Sequence, residues 1–275
     1  MNIKITESQY KILKETKKKV YSFDWDDNIL NMPTRIHLDY NINGLMWVPV
    51  SVSTEQFRSV RHKIGTEFRY LNDDIKQSFK DFRDYDAFIR DVKNALNSGS
   101  YSYGPSFNKF KEALISGSDF SIITARSNSP QAIKDGIKIL IDRTFKYDEK
   151  KEMENNLNGL SIDEYLNLQD YHPVSSEEFI NKFGLDVDGT KPEKGKEIAF
   201  RSFVEKVVKQ IGDINNNSEF EGISVGFSDD DEGNVKIIEK LIEDELQKLY
   251  PEINFIIYDT SDPKNPKKKR IIIKK

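Results

Sequence analysis

The chain has no cysteine among its 275 residues, and it has only three histidines and two tryptophans. The lack of cysteine excludes disulfides, thiolate metal sites and a cysteine nucleophile. No apolar run approaches the roughly 20 residues that a membrane span requires, and the first residues lack the features of a secretory signal. We therefore expect no membrane contact and, by default, a cytoplasmic location. The histidines, which lack metal-ligand spacing, are predicted to be surface or packing residues: His37, His62 and His172.

Positive charge is unevenly distributed along the chain. Residues 264–275 contain six lysines and one arginine but no acid, whereas the whole chain has a net charge of −4. The remainder is therefore strongly acidic, which does not suit a protein that wraps duplex DNA over its whole surface. This basic tail is interpreted either as a solvated terminus or as a weak contact for a nucleic-acid backbone.

Short apolar runs alternate with segments that have helical periodicity. The runs are residues 20–23, 120–123, 223–227 and 254–258, and apolar stripes at helical spacing occupy residues 133–145, 200–211 and 235–249. Continuous apolar runs of this length are typical of strands buried on both faces. The alternation predicts an α/β fold, a three-layer sandwich with a central parallel, Rossmann-like sheet. In such sheets, functional residues gather at the carboxyl ends of the strands.

Two stretches interrupt this alternation. Residues 31–118 separate the first two predicted strands and are too long for a loop in a compact domain, so they are predicted to form an inserted cap subdomain. Residues 147–190 form a smaller insertion, in which residues 171–174 are either a strand or a connector. The predicted core thus comprises residues 20–30 and 119–263. Residues 1–19 are predicted to form a helical N-terminal extension.

Acidic and hydroxyl residues follow three of the predicted strands, namely Asp24 and Asp26, Thr124, and Asp229 and Asp230. Hydrolysis of a phosphate ester needs a nucleophile, a proton for the leaving group and cations that balance the phosphoryl oxygens. An aspartate can attack phosphorus and a second carboxyl can transfer the proton, while carboxylates are the ligands that Mg²⁺ prefers. Either Lys194 or Lys196 could then offset the charge of the transferring phosphate.

Four segments resemble, in chain order, the motifs of the haloacid dehalogenase superfamily of phosphatases. Residues 23–28 (FDWDDN) resemble a strand followed by Asp-x-Asp-x-Thr, and residues 122–126 (IITAR) resemble a strand that ends in Thr or Ser. Residues 192–199 (PEKGKEIA) are similar to the motif with a lysine at a helix start, and residues 225–230 (VGFSDD) to the strand with paired acids. The resemblance covers residues 20–30 and about 119–260. It implies a magnesium-dependent phosphomonoesterase that works through an aspartyl-phosphate.

The resemblance also implies a role for each matching residue. Asp24 would be the nucleophile, and Asp26 the general acid and base, whose backbone carbonyl also ligates magnesium. The implied metal ligands are Asp24, Asp26, Asp229 and Asp230. The resemblance implies that Thr124 binds phosphate, and Asn28, which replaces the usual Thr, and Arg126 are further candidates for phosphate binding. Lys194 is preferred to Lys196 as the motif lysine because Gly195 follows it. Arg126 has the alternative of pairing with an acid of the cap.

Several alternatives stay open. Residues 186–190 (DVDGT) spell the first motif more literally, but they follow a poor strand and are predicted to form an acidic turn. The substrate is expected to be a phosphorylated metabolite, a nucleotide or a nucleic-acid 3′-phosphate end, since residues 124–126 also resemble the phosphatase half of polynucleotide end-repair enzymes. The second hypothesis is a catalytically silent binding or structural protein with the same fold.

Overall fold

The computed structural model describes residues 19–186, 191–214 and 223–270. Three sequence predictions lie wholly or mostly outside these ranges. They concern the N-terminal helical extension, of which only Lys19 is described, the acidic turn at residues 186–190, and the last residues of the basic tail, 271–275. Within the described part of the chain, no helix combines the length and apolar character needed to cross a membrane.

The described chain contains two β-sheets. The strands are β1 Lys19–Phe23, β2 Ile36–Ile42, β3 Met46–Val52, β4 Phe68–Tyr70, β5 Phe120–Thr124, β6 Asp170–Pro173, β7 Ser224–Asp229, β8 Asn254–Asp259 and β9 Lys267–Arg270. The larger sheet has the order β6-β5-β1-β7-β8-β9 and is parallel except for β9, which pairs antiparallel with β8. The predicted α/β fold is confirmed, and the sheet, which was predicted to be parallel, is mostly so. Residues 171–174, which the sequence left open, lie largely in β6.

Helices connect these strands and cover both faces of the larger sheet. They are α1 Thr54–Val60, α2 Ile75–Ser78, α3 Tyr85–Asn97, α4 Phe107–Ile115, α5 Pro130–Thr144, α6 Tyr147–Asn156, α7 Ile162–Leu168, α8 Glu177–Lys182, α9 Pro192–Ile214 and α10 Glu232–Leu241, the last continuing through a π-helical segment, Ile242–Leu246, into the single turn Gln247–Leu249. Short 3₁₀ segments occupy Arg61–Lys63, Leu71–Asp73, Lys80–Phe82 and Gly99–Ser102. The start of α5 shows how local sequence defines a helix end. The Ser129 hydroxyl accepts a hydrogen bond from the Ala132 amide, and Pro130 occupies the first turn.

Two hydrophobic clusters lie on opposite faces of the larger sheet. Successive side chains of a strand point to opposite faces, so Phe23 packs with α3, α4 and α5 on one side, while Val20 packs with α9 and α10 on the other. Phe120 of β5 belongs to the first cluster and Ile123 to the second. This arrangement is compatible with a three-layer sandwich.

The predicted insertion at residues 31–118 consists of two differently packed parts. Strands β2, β3 and β4 form a small antiparallel sheet in the order β3-β2-β4, and with α1 they enclose a separate core around Ile36, Leu38 and Phe82. We call residues 36–82 the inserted subdomain. By contrast, Phe88 of α3 and Phe110 of α4 are fully buried in the main core. The separately packed part is therefore shorter than predicted, because the apolar faces of α3 and α4 pack against the main sheet.

The residues predicted as a smaller insertion, 147–190, also contribute to the main body. Met153, Tyr165 and Leu166 are buried in the first cluster, and β6 is an outer strand of the larger sheet. At the opposite edge of that sheet, β9 contains three of the four described lysines of the basic tail, Lys267–Lys269, and residues 264–269 are exposed. An edge strand rich in lysine resists further strand pairing.

Candidate metal and phosphate site

Parallel pairing brings the acidic residues together at one edge of the sheet. Phe23 at the end of β1 is paired with Ser228 near the end of β7, and the Asp24 amide donates to the Ser228 carbonyl at 2.9 Å. Asp24 follows β1 and Asp229 ends β7, so the two carboxylates share the same edge. One oxygen atom each of Asp24, Asp229 and Asp230 lies within 4.8 Å of the others, and all three residues are buried.

Lys196 of α9 forms ion pairs with both Asp24 and Asp229. Its buried Nζ lies 2.7 Å from Oδ2 of Asp229 and 3.1 Å from Oδ2 of Asp24. Burial alone lowers the pKa of Lys196, but the carboxylates of Asp229 and Asp24 outweigh it, so this pKa lies above its ordinary value. Lys196 is therefore a fixed positive charge beside both carboxylates.

The preference for Lys194 as the motif lysine requires a correction. The Lys194 side chain is 57% exposed and pairs with Glu197 at 2.8 Å, away from the carboxylates. Residues two apart on a helix differ in direction by about 200°, so only one of Lys194 and Lys196 can face the site. Gly195 has a packing role instead: a Cβ there would lie 2.8 Å from Cβ of Val174. The glycine thus indicates close helix packing and does not identify the lysine.

The three carboxylates are held differently. Oδ1 of Asp229 accepts hydrogen bonds from the Asp231 amide at 2.9 Å and from Nδ2 of Asn234 at 3.0 Å. Oδ1 of Asp24, in contrast, is buried and has no hydrogen-bond partner among the described residues. Burial raises the pKa of Asp24, Lys196 opposes this, and the Asp229 carboxylate raises it further. Burial and the Asp229 carboxylate likewise raise the pKa of Asp230 to about 7, against the opposing charge of Arg58.

Arg126, predicted to bind phosphate or to pair with an acid of the cap, is fully buried and binds Asp26. Its Nε and NH2 donate to the two carboxylate oxygens of Asp26, each at 2.7 Å. NH2 also donates to the hydroxyl of Thr34 at 2.8 Å, and the guanidinium lies over the rings of Phe82 and Phe88. Asp26 lies in the loop after β1, so the observed partner is not an acid of the inserted subdomain, and the phosphate-binding role stays a prediction.

Asn28 requires a further correction, since its side chain is an internal clamp. Its Nδ2 donates to the carbonyls of Asp24 at 3.1 Å and Ser228 at 3.0 Å. Its Oδ1 lies within hydrogen-bonding distance of the hydroxyls of Ser228 and Thr260, at 3.2 and 2.9 Å. These contacts use both donors and both lone pairs of the amide. The buried Asn28 therefore joins the ends of β1, β7 and β8 and has no capacity left for phosphate.

Thr124 is the buried last residue of β5, the strand next to β1. Its Oγ1 lies 3.4 Å from the amide of Arg126. It lies at the same sheet edge as Asp24, which is where the sequence predicted a phosphate-binding hydroxyl. The histidines lie elsewhere: His37 contacts Ser51 and Asp81, His62 is exposed, and His172 is buried in β6.

Helix α1 also contributes residues to the site, and these were not predicted from the sequence. Thr54 at its start donates to Oδ2 of Asp27 at 2.5 Å. NH2 of Arg58 donates to the Asp230 carboxylate, and NH2 of Arg61 lies 3.4 Å from Oδ2 of Asp231. No local pattern could reveal these pairs, since Arg58 and Asp230 are 172 positions apart. The sequence shows only that Arg58 lies in a helix with a capping box at Ser53 and that Arg61 follows three residues later, directly after the end of this helix.

The donor set fits a hard divalent cation. Mg²⁺ prefers oxygen ligands at about 2.0–2.1 Å, so opposite ligands lie at most about 4.2 Å apart. The carboxylate oxygens of Asp24, Asp229 and Asp230 lie within 4.8 Å of one another and would need to approach only slightly. Oδ1 of Asp24 is buried and accepts no hydrogen bond from the described residues, so its lone pairs are available to a cation.

Comparison of the chain with family models, curated proteins and solved structures gave no match.

Proposed function

We propose that this chain is a magnesium-dependent phosphomonoesterase of the haloacid dehalogenase type, with Asp24 as its nucleophile. The observation that carries the proposal is the environment of the Oδ1 atom of Asp24. It is buried without a hydrogen-bond partner among the described residues, in one cluster with Asp229 and Asp230. A buried polar atom without a hydrogen-bond partner lowers the stability of the fold. A nucleophile or a metal ligand needs such an atom, because its lone pair must be free to react or to bind a cation.

Asp24, Asp229 and Asp230 would hold the cation. When bound, Mg²⁺ offsets the negative charge of the phosphoryl oxygens and orients the ester. Lys196 adds a positive charge that is fixed by its contacts with Asp24 and Asp229. Thr124, the last residue of the adjacent strand β5, would donate a hydrogen bond to the phosphoryl group.

The reaction takes place in two displacements at phosphorus. In the first, an oxygen of Asp24 bonds to phosphorus as the ester P–O bond breaks, and protonated Asp26 gives its proton to the leaving oxygen. In the second, Asp26 accepts a proton from the water that attacks the aspartyl-phosphate, which releases inorganic phosphate and restores Asp24. Both oxygens of Asp26 accept from Arg126, so one of these bonds has to open before Asp26 exchanges a proton.

Hydrolysis of para-nitrophenyl phosphate with and without MgCl₂ tests the proposal. We expect Asp24→Asn to lower the rate by about 10³-fold or more, the size of effect seen when a nucleophile is removed. Asp142→Asn is the matched control, because Asp142 is a 75% exposed aspartate that pairs with Lys150 on the surface. Full activity in Asp24→Asn, or a folded wild type that hydrolyses no phosphoester in a panel, would overturn the proposal.

The Asp26–Arg126 pair favours a second candidate, a catalytically silent protein that keeps the fold and binds Mg²⁺ and a phosphorylated ligand. A carboxylate bound at both oxygens by a buried arginine is restrained from proton transfer. Calorimetric binding of Mg²⁺ by the wild type, lost in Asp229→Asn, together with no turnover of any phosphoester, would favour this candidate. Turnover of a phosphoester would exclude it.

A further inference from the structure

Helix α1 connects the inserted subdomain to the acidic loops of the site. Its start is fixed by a capping box between Ser53 and Gln56. Phe57 packs edge-on against Phe79 in the subdomain core, with ring centroids 5.4 Å apart. At the same end of the helix, Thr54 donates to Asp27 in the loop after β1. The helix is thus anchored on both sides, and its direction relative to the site is defined.

Two arginines project from this region toward the acids after β7. Arg58 lies in α1 and Arg61 follows it three residues later, a spacing that places them on the same side of the helix. Arg58 binds Asp230, and its Nε lies 3.7 Å from Oδ2 of Asp231. Arg61 approaches the same Oδ2 atom at 3.4 Å. The inserted subdomain therefore presents a cationic surface beside a candidate metal ligand.

The side chains of Arg58 and Arg61 are more exposed to solvent than those of the other cationic residues at the site. In the part of the chain that the structure describes, Lys196 and Arg126 contact site carboxylates and their side chains are at most 3% exposed. The side chains of Arg58 and Arg61 are 38% and 48% exposed. Arg58 reaches Asp230 through NH2, and a guanidinium has five N–H donors in all. Arg58 and Arg61 therefore retain donors that an incoming ligand can reach.

We infer that Arg58 and Arg61 recognise a second acidic group on the substrate, in the part that leaves as the alcohol. This inference rests on the proposed function. Asp24, Lys196 and a cation, when bound, would interact with the reacting phosphoryl group. Arg58 and Arg61 instead contact Asp230 and Asp231, the two residues that follow Asp229 in the chain. The planar arginine fork matches carboxylate and phosphate groups. The substrate class is thus a phosphomonoester whose alcohol carries a further phosphate or carboxylate.

Two non-hydrolysable ligands test this inference by calorimetric titration with MgCl₂ present. Methylphosphonate has one acidic group, and 3-phosphonopropionate adds a carboxylate. We expect the wild type to bind the second ligand about tenfold more tightly, the size expected for a charge-assisted hydrogen bond. The preference should fall below about threefold in Arg58→Gln and decrease in Arg61→Gln.

Lys63→Gln is the matched control. Lys63 lies in the same region, is 38% exposed like Arg58, and pairs with Glu67 at 2.8 Å instead of a site acid. The preference should persist in this variant. Thermal unfolding verifies that each variant is folded, and Arg61→Gln decides the question if Arg58→Gln does not fold.

The outcomes separate this inference from the proposed function. No preference in the wild type, no binding of either phosphonate, or a preference that survives in every folded arginine variant would overturn the role of the arginines. If the same wild type hydrolyses para-nitrophenyl phosphate, the phosphatase proposal stands without it. A preference that depends on Arg58 in a protein without hydrolysis would instead support the acid-binding surface and overturn the phosphatase proposal.

Discussion

Arg126 holds Asp26 through two parallel hydrogen bonds of 2.7 Å, from Nε and NH2 to the two carboxylate oxygens. The same guanidinium donates to Thr34, whose hydroxyl in turn lies 2.8 Å from Oδ2 of Asp91 in α3. The position of Asp26 is thereby coupled to a helix that packs in the main core. Arg126 acts on the site through Asp26, and this makes it a positioning residue.

Substitution of Arg126 by lysine tests this role. Lysine keeps the charge but cannot form both parallel bonds, so Asp26 should lose its fixed orientation. For para-nitrophenyl phosphate with MgCl₂, we expect kcat to fall about tenfold or more and KM to stay nearly constant, because a group that acts in the transition state was disturbed. Arg143→Lys, at an arginine that contacts Asn97 on the surface, is the control. A raised KM with unchanged kcat would instead mean that Arg126 binds the phosphate.

Much of the fold could be predicted from the sequence because apolar patterns report burial. The runs that became β1, β5, β7 and β8 are short, continuous and bounded by polar residues, and such runs have few alternatives in an α/β chain. The location of Asp24 and Asp229 at one sheet edge followed from parallel pairing alone. The extent of the inserted subdomain did not, because the amphipathic stripes of α3 and α4 do not reveal which core they join.

The residues that the sequence misassigned depend on long-range geometry. Asn28 occupies the position of a motif residue, yet its hydrogen bonds reach Ser228 and Thr260, 200 and 232 positions away. The choice between Lys194 and Lys196 depends on the rotation of α9 relative to β7. The contact between Arg58 and Asp230 depends on the position of α1 beside the residues that follow β7. Side-chain direction and tertiary pairing, which local pattern leaves undetermined, account for each difference.

The two lysines of α9 allow a sharp comparison. We expect Lys196→Gln to lower kcat/KM for para-nitrophenyl phosphate by about 10²-fold or more, as for the loss of a fixed charge at a reacting oxyanion. Lys194→Gln should remain within about twofold of the wild type, because its partner is Glu197 on the helix surface. Steady-state kinetics on both variants measures the contrast. Equal losses, or a larger loss in Lys194→Gln, would contradict the assignment of Lys196.

Lys196 should also stabilise the folded state, since its positive charge offsets the negative charges of the buried Asp24 and Asp229. Removing one partner of a buried ion pair costs about 3–5 kcal/mol in typical cases. We therefore expect Lys196→Gln to unfold at lower urea concentration than Lys194→Gln in EDTA. Saturating MgCl₂ should restore part of the difference, because a cation bound by Asp24 and Asp229 replaces the lost charge. An identical unfolding midpoint for the two variants in EDTA would contradict this expectation.

The Asn28 clamp predicts that an isosteric change there destabilises the fold. In Asn28→Asp, a carboxylate replaces two N–H donors opposite the carbonyls of Asp24 and Ser228. The free energy of unfolding at pH 7.5 should fall by about 3 kcal/mol or more, since buried acceptors then face each other. Asn43→Asp, in the exposed turn between β2 and β3, should change it by less than about 0.5 kcal/mol. Chemical denaturation that finds equal stability for the two variants would rule out the clamp.

His172 makes the stability of the fold sensitive to acid. Burial is the main cause that lowers the pKa of His172 to about 4, while the Asp170 carboxylate opposes it. Its Nε2 is buried without a hydrogen-bond partner in the described part of the chain, and its ring packs edge-on against Phe179. The folded protein therefore keeps His172 neutral at pH 5, whereas the unfolded chain takes up a proton below about pH 6.5.

Because the unfolded state binds more protons, the free energy of unfolding must decrease as the pH falls from about 6.5 toward 4. For this one group the loss between pH 7.5 and pH 5 is about 2 kcal/mol. His172→Phe keeps an aromatic ring but cannot be protonated, so its stability should decrease by about 2 kcal/mol less than that of the wild type over this range. Urea unfolding at both pH values measures the difference, in which the other titrating groups cancel. His62→Gln, at an exposed histidine, should follow the wild type, and the same pH dependence in His172→Phe and the wild type would show that His172 is not the responsible group.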